Sequence, residues 1–109
     1  MKRRATQLHV TEMRLLKDWA RSVGAAFRGE MPYLVGSAVT SREWRDVDVR
    51  LILSDEDHAA LSKLVDLKRL DMAMSLWGQQ TTGLPIDFQV QGMTEANRIE
   101  GVRHALAIG

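Results

Sequence analysis

The sequence contains no cysteine, which excludes disulfides, thiolate metal sites and cysteine nucleophiles together. Its two prolines, Pro32 and Pro85, act as isolated breaks, and no internal repeat or low-complexity stretch is present. No apolar run approaches the roughly 20 residues that a membrane helix needs, and Met1-Lys2-Arg3-Arg4 is followed by polar residues. Neither a membrane span nor a signal peptide is expected, and the expected location is cytoplasmic. A net charge of +1 argues against a protein built mainly to coat nucleic acid. What remains is 109 residues, 45% hydrophobic and 27% charged, the composition of a soluble globular chain. The length predicts one domain, residues 1–109, with a modest core.

Charge is uneven along the chain. Residues 1–28 hold seven basic and two acidic side chains, whereas residues 29–57 hold three and seven. Residues 1–10 are expected to form a basic tail and residues 92–109 a C-terminal tail. Between them the apolar spacing of Leu16, Trp19, Ala20, Val23 and Phe27 predicts an amphipathic helix from Thr11 to Phe27. Tyr33-Leu34-Val35 is a short β-prone run closed by Gly36-Ser37, where Ser37 is placed to cap a turn of helix.

The segment Asp46 to Leu53 alternates strictly. Val47, Val49, Leu51 and Leu53 share one face, and Asp46, Asp48 and Arg50 the other. Ser54 or Asp55 then caps a short helix, and a longer one is predicted from Asp66 to Gln79 with Leu67, Leu70, Met74 and Trp77 in one stripe. Ile86 to Gln91 alternates again, with Asp87, Gln89 and Gln91 on its polar side. Beyond Gly92 only a short helix or irregular segment is expected. The predicted order α-β-α-β-α-α-β gives an α+β fold, a small mixed sheet with helices packed on one face.

Asp46, Asp48 and Asp87 therefore share a polar face with the Gly36-Ser37 turn. Carboxylates so placed repel one another unless a cation joins them, and hard oxygen donors suit Mg²⁺ or Mn²⁺. Magnesium usually completes its shell with water and phosphate oxygens, and a glycine turn opening a helix offers N–H groups to a phosphate.

These residues resemble a known family. Leu34-Val35-Gly36-Ser37, then Asp46-Val47-Asp48-Val49, then Ile86-Asp87-Phe88 is similar to the signature of the DNA-polymerase-β-like nucleotidyltransferase superfamily, in its minimal form. The resemblance covers roughly residues 33–91. It implies that Gly36 and Ser37 hold a nucleoside triphosphate and that Asp46, Asp48 and Asp87 hold two Mg²⁺ or Mn²⁺ ions as the catalytic acids. Nucleoside monophosphate would pass to a hydroxyl of an unknown acceptor, such as tRNA, a protein or a small molecule, with release of pyrophosphate. The sequence departs from the pattern where Arg42 precedes Glu43 rather than glycine and where Arg45 precedes Asp46. Arg42 still offers a fork of donors to a phosphate, and Arg45 is a second candidate.

Plainer explanations stand beside each feature. Gly36-Ser37 can be an ordinary turn, and Asp46 and Asp48 can be solvated strand residues paired with Arg50. His9, His58 and His104 share no spacing and read as surface or packing residues. Trp19, Trp44 and Trp77 read mostly as core, although Trp44 in the loop beside the acids is placed to stack on a base. The alternative to an enzyme is a non-catalytic nucleotide-binding or antitoxin-like interaction protein, with a protein partner, on the same fold. A third reading is a nucleic-acid-binding module that uses the basic first helix.

Overall fold

In the computed structural model, residues 7–99 and 101–107 are described. The α+β architecture holds, with helices α1 (Val10–Ala26), α2 (Ser37–Thr40), α3 (Asp55–Leu64), α4 (Leu67–Thr82) and α5 (Met93–Arg98). They alternate with strands β1 (Pro32–Val35), β2 (Val47–Leu53), β3 (Ile86–Gly92) and β4 (His104–Ala105). The sheet order is β3-β2-β1-β4. β1 runs antiparallel to β2 and β4, and β2 runs parallel to β3.

The strict alternation of β2 and β3 does what it predicts. Val47, Val49, Leu51, Ile86, Phe88 and Val90 are buried under α1 and α4. Trp19 of α1 meets Phe88 edge-on at 6.2 Å and Trp77 of α4 at 5.8 Å between ring centroids. Gly78 belongs at this crossing, because a Cβ there would lie 2.8 Å from the Trp19 ring and 3.0 Å from Ile86. Helix starts follow the expected capping, with Ser54 accepting from Asp57 N–H at 3.1 Å and Asp66 from Arg69 N–H at 3.3 Å.

Four expectations need correction. Ser37 does not cap α2; it is the first helical residue, Gly36 occupies the cap position, and no side chain caps the turn. Trp77 is 38% exposed rather than core, because Trp19 takes the buried place and Trp77 meets it edge-on from outside. The supposed N-terminal tail is packed where it is described, since Leu8 is buried and Gln7 N–H donates to the Ala38 carbonyl at 2.9 Å; residues 1–6 lie outside the described residues. The C-terminal segment forms a short helix, α5, as expected, but it is not a tail: it adds β4 to the sheet, and Leu106 is fully buried. A two-residue strand is too short to show alternation.

One device escaped the sequence pattern altogether. Asp71, Ser75 and Gln79 recur every four residues along α4 and face the open edge of β3. Asp71 Oδ1 accepts from Val90 N–H at 3.0 Å, Ser75 Oγ from Phe88 N–H at 2.9 Å, and Gln79 Nε2 donates to the Ile86 carbonyl at 3.0 Å. Side chains thus satisfy an edge that would otherwise invite another strand. Burial raises the Asp71 carboxyl above its ordinary pKa, and the Val90 hydrogen bond works against that rise.

Candidate functional site

Strand register builds the site. Val35 lies opposite Asp48, and Asp48 lies opposite Asp87, so the end of β1 and the two acids form one row across the sheet. Chain reversal after β1 sets Gly36 at φ 75°, a conformation costly for any residue with a Cβ. A Cβ there would also collide with the Asp48 carboxylate, so glycine is required twice over, by its backbone and by its neighbour. α2 starts at the next residue.

Two residues along β2 from Asp48 stands Arg50. Its Nη1 donates to the Asp87 carbonyl at 2.7 Å and to the Val49 carbonyl at 3.1 Å, which pins the guanidinium to the main chain. Its Nη2 is 3.8 Å from Asp48 Oδ1 and 3.9 Å from Asp87 Oδ2, too far for a hydrogen bond to either. Arg50 is therefore a nearby counter-charge rather than a bidentate partner. The Asp48 carboxyl is accordingly raised above its ordinary pKa. Burial is the main cause, Arg50 opposes it, and the neighbouring charges of Asp87 and Asp46 and a hydrogen bond shared with Asp87 add to the rise.

The remaining candidates are more dispersed. Asp46 precedes β2, is exposed, and lines a broad cleft beside α4 together with Asp87, Lys68 and Asp71. Asp48 instead lines a narrower cleft with Gly36 and Arg50. The structure thus brings Asp48 and Asp87 together, with Asp46 close enough to act through its charge. No cluster of three or more metal-ligating side chains is preformed among the described residues. Ser37 is half-buried beside Gly36, while Arg42 and Arg45 are exposed in the loop between α2 and β2. Among the described residues neither arginine forms an ion pair with the acids. Trp44 packs against the core.

The histidines lie elsewhere. His9 precedes α1, where its N–H donates to Glu12 at 2.8 Å; His58 lies beside Gly92; His104 is in β4, where burial and then Lys17 lower its pKa. Sequence reasoning placed Gln89 and Gln91 on the polar face without giving them a role, and it missed that Ile99, Gly101, Val102 and Arg103 line one cleft with them. Nothing in a two-residue strand and its irregular approach signals that arrangement. No helix among the described residues is long and apolar enough to cross a membrane. No protein-family model matches the chain, and neither curated proteins nor solved structures give a match.

Proposed function

We propose that the chain is a metal-dependent nucleotidyltransferase, moving a nucleoside monophosphate from a nucleoside triphosphate to an acceptor hydroxyl. The observation that carries this reading is the row formed by Gly36, Asp48 and Asp87, in which a glycine turn meets two adjacent carboxylates. The donor set fits a hard divalent cation: two carboxylates sit side by side, one of them reluctant to ionise, and Arg50 beside them stays beyond hydrogen-bonding distance of both. Asp48 and Asp87 would hold the metal, with Asp46 drawn in from the edge of the neighbouring cleft. Bound Mg²⁺ or Mn²⁺ would stabilise charge on the attacking oxygen and on the departing pyrophosphate.

The chain's own residues would do the rest. Gly36 lets the backbone approach a triphosphate closely, and Ser37 adds a hydroxyl beside it. Arg50, fixed by two carbonyls, supplies a positive charge that needs no reorganisation. In the transfer, a bond forms between the acceptor oxygen and the α-phosphorus and the α–β bridging bond breaks. Pyrophosphate leaves, and the acceptor proton passes to Asp87 or to water.

The test is turnover. With Mg²⁺, labelled nucleoside triphosphates and cell extract as acceptor, the wild-type chain should release pyrophosphate and label a product. Asp46→Asn/Asp48→Asn should lower the rate by about 10²–10³ or more. Equal rates in the two proteins would overturn the reading. Arg50 favours one second reading, a nucleotide-binding protein without turnover, because a fixed guanidinium partly neutralises the acids without metal. That protein would bind the nucleotide without added divalent ion and return it intact.

A further inference from the structure

The cleft that Gly36 and Asp48 line, about 250 Å³ in all, continues past Asp48 along the polar face. Its floor is the row of Arg50 and Gln89 followed by the row of Ile52 and Gln91, and its roof is Ala96 of α5 with Ile99, Val102 and Arg103. Pockets for drug-sized ligands span about 300–1,000 Å³, so this one encloses about a single ring system, and a triphosphate would extend from it past Gly36 and Asp48.

Its two arginines are engaged, Arg50 with main-chain carbonyls and Arg103 with Asn97, but its two glutamines are not. Gln91 is only 5% exposed, yet neither it nor Gln89 makes a side-chain hydrogen bond among the described residues, whereas Asp71, Ser75 and Gln79 on the other side of β3 all do. Among the described residues the one side-chain polar atom both buried and without a partner is Trp19 Nε1, so the glutamine amides are not sealed in the core but reach the cleft, where a ligand can meet them. Both glutamine amides line the cleft, each with one donor and one acceptor end. The walls between them are aliphatic, and Ile99 and Val102 are 62% and 63% exposed at the rim. Gln91 lies four residues along β3 from Asp87, about 13 Å at 3.3 Å per residue. A nucleotide with its phosphates at Gly36 and Asp48 reaches a comparable distance with its base.

We propose that this cleft takes a nucleobase, its edge read by Gln89 and Gln91 and its faces held by Ile52, Ile99 and Val102. The choice of ring rests on the nucleotide reading above. The edge of adenine, which presents a donor beside an acceptor, is one that a glutamine amide matches.

Calorimetry on the full chain with the four nucleoside triphosphates, the four nucleosides and inorganic triphosphate tests it. Wild type should prefer one base by at least tenfold. Gln91→Leu, checked for folding by circular dichroism, should reduce that preference to within about threefold and leave inorganic triphosphate affinity unchanged. Val102→Trp, at an exposed rim position, should weaken the preferred nucleoside at least tenfold by filling the cleft. A nucleoside that competes with a non-hydrolysable triphosphate identifies the triphosphate's own base as the occupant; one that binds alongside it identifies a base on the acceptor. Affinity independent of the base, or a preference that survives Gln91→Leu, overturns the assignment even if turnover is found. Base-selective binding without turnover overturns the transferase reading alone, and no binding of any nucleotide or nucleoside overturns both.

Discussion

On one face of β2 and β3 lie Val47, Val49, Leu51, Ile86, Phe88 and Val90, none more than 6% exposed and all packed in the core. Alternating with them on the other face stand Asp48, Arg50, Asp87 and Gln89, half-buried and incompletely paired. The first face meets the ordinary requirements of folding: apolar area removed from water, rings packed edge to face, and backbone groups of the free edge satisfied by α4. The second face breaks them, since like charges are adjacent, one carboxyl is held partly out of water and two glutamines line an open cleft. Local conflict of this kind, on strands whose other side is well made, is where function is expected.

The largest effect should come from damage to the ordered face. Phe88→Ala removes a fully buried ring that faces Trp19 and Phe27, and should cost about 3–5 kcal/mol in chemical denaturation. Damage to the polar face should have the opposite signature. Asp87→Asn should lower turnover by about 10²–10³ while the melting temperature stays level or rises, because it removes a like charge beside Asp48. A variant that lost both activity and stability would erase the distinction between the faces.

Gly36→Ala lies at the boundary and should affect both. The glycine-only backbone at φ 75° and ψ −153° costs about 1–3 kcal/mol for a residue with a Cβ, and the added methyl displaces the Asp48 carboxylate. Melting and triphosphate affinity should fall together. Asp71→Ala should cost about 1–2 kcal/mol by leaving the Val90 N–H without its acceptor, with faster hydrogen exchange confined to the β3 edge.

The smallest effects are in pH dependence, and their signs differ between two carboxylates. Asp48 has its folded pKa raised above 3.8, so the folded chain holds that proton more tightly than the unfolded one. Its contribution to stability is present below 3.8 and declines as pH rises through the folded value; Asp48→Asn should remove the decline. Asp55 has its folded pKa lowered below 3.8, first by hydrogen bonds from the Thr94 hydroxyl and N–H. Its contribution is present above 3.8 and is lost as pH falls through the folded value, which should loosen the start of α5. Amide signals of residues 93–98 followed over an acid titration check this, with Asp55→Asn as the control.

The regions that were legible in the sequence are the ones that obey a period. β2 and β3 showed both faces at once, and α1 showed its buried stripe, because Leu16, Trp19, Ala20 and Val23 keep helical spacing. That Asp48 and Asp87 each stand on the polar face of a strand was legible for the same reason, since alternation sets the two faces of each strand. Three features were not. The pairing of Asp48 with Asp87 depends on parallel register between segments separated by two helices, which no local pattern encodes. The edge seal by Asp71, Ser75 and Gln79 reads in sequence as a solvated polar stripe until β3 is laid beside it. The cover over the cleft comes from Ala96 of the six-residue α5 and from Ile99, Val102 and Arg103 outside any regular element, too little for any periodicity.

The central claim is that the polar face is a site for divalent metal and nucleotide, and a Mn²⁺ titration followed by electron paramagnetic resonance tests it most directly. With a non-hydrolysable nucleoside triphosphate present, the wild-type chain should bind Mn²⁺ more tightly than the triphosphate does alone, and Asp48→Asn/Asp87→Asn should abolish that gain while remaining folded. Mn²⁺ binding that is identical in the two proteins, or no tighter than to free triphosphate, would contradict it.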